Sequence, residues 1–173
     1  NLAFFDGLSL YREEFGQSYT YDDKNNVISA VDSQKNATKF EYNENSDLTG
    51  ITDPKGNKFK YEYDKKHNVT KGTSAMGVVN RLVYDGNGNI TKSGTVQTDV
   101  QDKGIWITRA FTTDKNHVAS VTDAEGNRTQ YDWNEKSDLL NSLTDGQGNR
   151  LSYEYDSADR MTSVSQEVTA GGT

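Results

Sequence analysis

What most constrains this chain of 173 residues is a period. Short clusters closing on Asp or Asn return as Tyr19-Thr20-Tyr21-Asp22, Phe40-Glu41-Tyr42-Asn43, Tyr61-Glu62-Tyr63-Asp64, Leu82-Val83-Tyr84-Asp85, Phe111-Thr112-Thr113-Asp114, Tyr131-Asp132-Trp133-Asn134 and Tyr153-Glu154-Tyr155-Asp156. Their closing residues stand at 22, 43, 64, 85, 114, 134 and 156, so the spacings are 21, 21, 21, 29, 20 and 22. Self-similarity at a fixed period marks an array of small stacked units and outranks any single-residue signal.

Inside a copy the pattern alternates with period 2, the signature of a strand. Phe59, Tyr61 and Tyr63 fall opposite Lys58, Lys60 and Glu62, and Leu151, Tyr153 and Tyr155 fall opposite Arg150, Ser152 and Glu154. A polar turn of about five residues follows, such as Asp22-Asp23-Lys24-Asn25-Asn26 or Asp64-Lys65-Lys66-His67-Asn68. Asn, Asp and Gly suit such turns because they tolerate positive φ and bond their own backbone. A second strand is opened by Val27, Leu48, Val69, Ile90, Val118, Leu139 or Met161 and ends in another turn, clearest at Asp53-Pro54-Lys55-Gly56-Asn57. Each repeat is therefore a β-hairpin. In the second strand Leu48 and Ile51 lie three apart, which a bulge would explain.

The expected fold is all-β: about seven consecutive hairpins in one antiparallel sheet, curved because open sheets beyond ~10 strands curl or split. The repeat aromatics Tyr19, Tyr21, Phe40, Tyr42, Tyr61, Tyr63, Tyr84, Phe111, Tyr131, Trp133, Tyr153 and Tyr155 are its expected inward rungs. The array runs over 16–165 as one continuous body. Residues 1–15 lie outside the period and are expected to be a strand or hairpin of an upstream module, while the Gly-rich 166–173 is expected to fray. Lys92 to Arg109 adds about eight residues and carries Trp106, and is expected to be an elongated hairpin.

Composition narrows the function. Hydrophobic residues are only 32%, which implies a thin core, and ten Tyr argue against disorder. The net charge of −7 repels a phosphate backbone, so nucleic acid is not an expected partner. No apolar run approaches the ~18 residues of a spanning helix, and no membrane insertion is expected. The chain contains no cysteine, hence neither a disulfide framework nor a thiolate metal site. Both histidines, His67 and His117, stand in turns just ahead of second strands, which favours surface positions over a catalytic pair. No serine sits on a strand-to-helix elbow and the carboxylates are dispersed through turns, so neither an enzyme nor a cofactor is expected. Asp85-Gly86-Asn87-Gly88-Asn89 alternates oxygen ligands but has Ile90 and Val96 where a calcium loop needs Gly and Glu. The sequons at Asn36, Asn68, Asn89 and Asn127 follow from Asn-rich turns running into Thr-rich strands. Trp106 and Trp133 are the candidate contacts if the sheet instead presents aromatics to carbohydrate.

A Tyr-x-Tyr-Asp core, a nearby Gly-Asn turn and a period near 21, over about Gly16 to Ser165, resemble the YD repeat of Rhs-repeat proteins. With Glu13-Glu14-Phe15-Gly16 leading in, the style is most similar to the wall-associated, secreted Rhs proteins of Gram-positive bacteria, in which Ala3 to Tyr11 resembles the closing strand of a preceding β-sandwich. The resemblance implies a structural, non-enzymatic piece of a large exported, extracellular or wall-associated protein. Its partners would be further repeats and a C-terminal toxin domain that the shell encloses. The family's self-cleaving C-terminal core is not visible: Asp53-Pro54-Lys55-Gly56 has its letters but sits at an ordinary inter-repeat turn. The alternative is a carbohydrate-binding or adhesion module at the cell surface.

Overall fold

A computed structural model describes residues 16–96 and 104–169, so the expected upstream strand over 1–15 lies outside the described residues. The described chain is β-strand joined by tight turns, and fourteen strands are hydrogen-bonded side by side in chain order. Every described pairing is antiparallel, as consecutive hairpins require. Contacts divide the chain into two compact units, Asn1–Lys60 and Tyr61–Thr173, with the division falling within β5 (Lys58–Tyr63). A single layer whose elements touch only their neighbours has few long-range contacts to hold distant parts together.

In the first unit β1 (Ser18–Tyr21), β2 (Val27–Val31), β3 (Ala37–Tyr42), β4 (Leu48–Thr52) and the start of β5 (Lys58–Tyr63) pair in sequence. Register places Phe40 opposite Ile51 and Tyr42 opposite Leu48, with the ladder shifting between Glu41 and Tyr42. Thr49 is the extra residue of a bulge, which returns Leu48 to the face of Ile51. The unusual three-residue spacing is thereby explained. The same shift stands between Thr20 and Tyr21.

The second unit continues with β6 (Val69–Thr73), β7 (Val79–Tyr84), β8 (Ile90–Val96), β9 (Gly104–Phe111) and β10 (Val118–Thr122). It ends with β11 (Arg128–Trp133), β12 (Leu140–Thr144), β13 (Arg150–Tyr155) and β14 (Met161–Glu167). Bulges recur beside Tyr84, Phe111, Trp133 and Tyr155. Leu143 lies between Tyr131 and Leu151, and Val164 lies opposite Tyr153, so rings and aliphatic side chains alternate along one face. Cross-strand pairs of this kind contribute ~0.2–1 kcal/mol each.

Register also corrects three sequence-level assignments. Phe111 pairs with Val118 across the bulge and therefore holds the last aromatic position of its copy, with Thr112, not Asp114, opening the turn. The interval from Asp85 is then 27 rather than 29, and the insertion is six residues rather than eight. Likewise Leu140, not Leu139, opens β12, because the Asn134 turn is one residue longer than the five-residue turns. Finally, β14 runs to Glu167, past the expected end of the array at Ser165, and Thr169 bonds back to Gly148 and Asn149.

The opposite face carries long polar side chains over small residues. Ser120 and Ser142 are buried at 4% and 3% exposure although no second layer covers them among the described residues. The Arg128 guanidinium donates to Ser120 Oγ at 3.2 Å, and Glu41 leans over Gly50. Long charged side chains shade the backbone with their stems while their heads stay wet.

Candidate functional site

The repeat motif itself is the first candidate, and its two recurring letters have separate uses. Asp opens a five-residue turn. In Asp64–Asn68 the Asp64 Oδ1 accepts the backbone N–H groups of Lys66 at 2.7 Å and Asn68 at 3.0 Å, while Oδ2 accepts the Asn68 side-chain amide at 3.0 Å. Backbone hydrogen bonds from Asp64 N to Asn68 O and from His67 N to Asp64 O close the ring. The fourth residue must adopt positive φ: Gly in several copies, but Asn25, Lys35, Ser46, His67 and Asp159 elsewhere. The same carboxylate clamp forms at Asp22, Asp32, Asp53, Asp85, Asp123 and Asp145, and Asn43 supplies an amide version with Asp47 as its partner. At each of these aspartates the paired Asn side chain, ahead of the backbone donors, holds the carboxyl below its usual range. At Asp156 Arg160 does so.

The clamp also accounts for two patterns in the sequence. The Asp85 oxygens are committed to Asn87 and Asn89, so the calcium-like spacing is a turn. The sequon residues Asn36, Asn68, Asn89 and Asn127 each give their amide nitrogen to the turn carboxylate.

In three motifs the last ring reaches back to the preceding hairpin. Tyr84 Oη donates to Val69 O at 2.8 Å, Trp133 Nε1 to Val118 O at 2.8 Å and Tyr155 Oη to Leu140 O at 3.0 Å. The acceptor is each time the carbonyl of the residue that opens a second strand beside the bulge. Burial, then the Asp64 carboxylate, pushes the Tyr84 phenol up, which keeps it a proton donor. Phe111 holds the same place without a polar atom.

A third contact was not read from the sequence. Turn lysines reach the next turn: Lys24 Nζ donates to Glu44 O at 2.6 Å, Lys66 Nζ to Gly86 O at 2.7 Å and Lys115 Nζ to Glu135 O at 2.6 Å. A lysine three or four places after the motif's last ring, about twenty residues from its acceptor, was the available signal.

The tryptophans proposed for carbohydrate lie on opposite faces. Trp106 pairs with Gly94 and shares the face of Lys92, Val79 and Val96, away from the repeat rings. A Cβ on Gly94 would stand 2.7 Å from the indole, so the ring lies flat on bare backbone, and Lys92 Nζ covers it 4.3 Å from the ring centroid. Trp133 is on the repeat face, with His117 stacked on it at 4.6 Å between centroids and 18° between planes. His117 Nε2 is 3.2 Å from Asp138 Oδ1, which also receives Lys115 Nζ at 2.5 Å. Those hydrogen bonds, Lys115 first and then His117, hold the Asp138 carboxyl down. Beside the stack opens a cavity of about 630 Å³ lined by Phe111, Lys115, Trp133 and Glu135 among others. Both indoles thus have one face already occupied by protein.

The two histidines, expected to be equivalent, are not. His67 is the positive-φ fourth residue of its turn, whereas His117 closes a six-residue turn and gives its N–H to Thr112 Oγ1. Among the described residues no group of His, Cys, Asp and Glu side chains gathers as a metal site.

The RHS Repeat family model matches residues 21–58, 42–79 and 133–173, together more than half of the chain. No curated protein matches. Among solved structures, a Photorhabdus luminescens Tc holotoxin pore carrying a TccC3 mutation is similar over 87% of this chain and 9% of its own, with TM-score 0.65 and 12% identity. A TcdB2-TccC3-Cdc42 crystal structure is similar over 90% of this chain and 10% of its own, with TM-score 0.50 and 11% identity. The chain therefore spans about a tenth of the proteins it resembles, and at these identities the likeness is one of fold. With three matches in register on the hairpins whose Asp clamps and inter-repeat hydrogen bonds are described above, the chain belongs to the RHS-repeat family.

Proposed function

We propose that this chain is a non-enzymatic wall segment of a larger exported RHS-repeat protein, its aromatic face lining a shell that contains or delivers a toxin domain of the same parent chain. The observation that carries this reading is one-sidedness. In each unit the repeat rings share one face of a single layer and stay half-exposed, as Phe40, Tyr42, Tyr61, Tyr63, Tyr131 and Tyr155 do. A sheet that presents rings on one side and shaded polar stems on the other is built as a boundary between two compartments. The recurring Asp and Asn close turns, and the last ring of three motifs and the turn lysines join one hairpin to the next, so the recurring groups have structural uses. The similarity to a chain of a holotoxin pore supports the reading at the level of fold. The carbohydrate alternative is not favoured, because Lys92 and His117 cover the rings it needs.

Native cysteine is absent from this chain, so accessibility can be read from introduced thiols. In the parent protein, Thr129→Cys on the ring face is expected to resist a bulky maleimide, whereas neighbouring Gln130→Cys on the other face is expected to react freely. Equal labelling of both would remove the lining role.

A further inference from the structure

We propose that Arg109 is a carboxylate-binding point on the ring face, and that it takes an Asp or Glu side chain of the polypeptide this face encloses. The occupant, though not the site, rests on the lining role proposed above. The repeat itself marks the position. Tyr61, Leu82, Tyr131 and Tyr153 stand two residues ahead of the last ring of their copies, and Arg109 stands there in the fifth copy, two ahead of Phe111. Register puts Arg109 opposite Val121 and Phe111 opposite Val118, so the guanidinium belongs to the face of the rings. From β7 to β14 it is the one charged side chain that register assigns to that face.

Its surroundings supply donors and no counter-ion. The half-buried guanidinium donates from Nη1 to Ser93 Oγ at 3.0 Å, and among the described residues no carboxylate pairs with it. A guanidinium presents several N–H donors in a planar fork, so one hydroxyl leaves most of the fork unused. Beside it the rings give way to small polar residues: Ser93 lies between Leu82 and Ile107, and Thr95 between Asn80 and Ile105. Thr95 Oγ1 donates to Asn80 Oδ1 at 2.7 Å, which occupies that acceptor and leaves the Asn80 amide N–H groups as further donors. Donors gathered without an acceptor fit an anion, and the planar fork fits a carboxylate held by paired parallel hydrogen bonds. Partial burial strengthens such bonds relative to water. The net charge of −7 turns away polyanions, so the fitting anion is a single carboxylate carried on a polypeptide.

Titration of this 173-residue chain with N-acetyl-glutamate amide, and with N-acetyl-glutamine amide as the uncharged twin, tests the site through the backbone N–H signals of Thr95 and Ile107 in NMR spectra. The glutamate probe is expected to move those signals and the glutamine probe to leave them in place. Arg109→Gln is expected to weaken binding about tenfold or more, as loss of a charge-assisted contact does. Ser93→Ala frees the fork and is expected to keep binding, while Lys92→Gln on the opposite face is expected to change nothing. In the parent protein Arg109→Lys puts an amine at the same place, and a carbodiimide is expected to join it to an Asp or Glu outside residues 1–173. No response to the glutamate probe, an equal response to its twin, undiminished binding in Arg109→Gln, or cross-links confined to 1–173 would each overturn the proposal. Site and lining fail separately: probe binding together with equal labelling of Thr129→Cys and Gln130→Cys would overturn the enclosed occupant alone, whereas unequal labelling without probe binding would overturn the site and leave the lining.

Discussion

The regular hairpins β11 to β14 and the long hairpin β8–β9 with its neighbour β7 solve the same problem in opposite ways. In the regular copies each pair between a second strand and the next first strand is three residues long, rings lie on one face, and small residues sit shaded on the other. In the long hairpin, pairing runs from Lys92–Thr108 out to Val96–Gly104. There the buried apolar residues Val79 and Val96, at 7% and 0% exposure, lie on the face of Trp106 instead. A single layer cannot bury a side chain by itself; six added residues let Trp106 fold down onto glycine and provide a local second layer. The repeat thus buys uniformity, and the insertion is where a true core forms.

Six substitutions, and a titration read with a seventh, can break or sharpen this contrast. The largest effect is expected at Gly94, where an added Cβ would stand 2.3 Å from Ile105 O and 2.7 Å from the indole. Gly94→Ala is expected to cost at least ~1–3 kcal/mol by overpacking. In the regular hairpin, Gly72→Ala meets only the Tyr61 ring at 3.8 Å and should stay within ~0.5 kcal/mol. Urea unfolding of the two variants side by side decides it; equal losses would erase the distinction.

Next come the inter-repeat hydrogen bonds. Tyr84→Phe and Tyr155→Phe are each expected to lose ~0.5–1.5 kcal/mol in denaturant titration, because the Val69 and Leu140 carbonyls lose their donor. Lys92→Gln removes the cation over Trp106 and is expected to cost ~0.5–1 kcal/mol, with a change in indole fluorescence confined to that ring. The turn lysines are exposed, and Lys66→Ala should cost no more than ~1 kcal/mol in thermal melts.

Acid acts on every regular copy at once. The clamp aspartates titrate below their ordinary value of 3.8, because Asn side chains and backbone N–H groups favour the charged form. Between the folded and unfolded pKa values the unfolded chain binds more protons, so stability rises with pH there. The clamp's contribution is fully present above the unfolded value near 3.8 and is lost as pH falls through the lower folded values. Melting temperature followed from pH 6 downward should therefore hold until the carboxylates protonate and then fall. Asp64→Asn should flatten that decline slightly.

Much of the regular array was legible because period-2 alternation and Asp-to-Asn spacing are local properties, read without knowing what touches what. The bulge beside Leu48 was visible as a three-residue apolar spacing. Other features were hidden for equally physical reasons. In the fifth copy Phe111 could be taken as first or last ring, since turn length alone decides, and the six-residue Thr112–His117 turn is irregular. The stack of His117 on Trp133 joins residues sixteen apart, and the lysine reaches join residues about twenty apart; neither leaves a local pattern.

By itself the amino-acid order determined the unit of construction: aromatic alternation made each first strand two-faced, and an Asp carboxylate with an Asn partner made the seven clamped turns close on five residues. Tertiary pairing alone decided which face each tryptophan occupies, because a strand's side chains are assigned to a side only by register. The bulge sets that register within a hairpin, and in the insertion Gly94 and Gly104 leave Trp106 the room to lie on the far side.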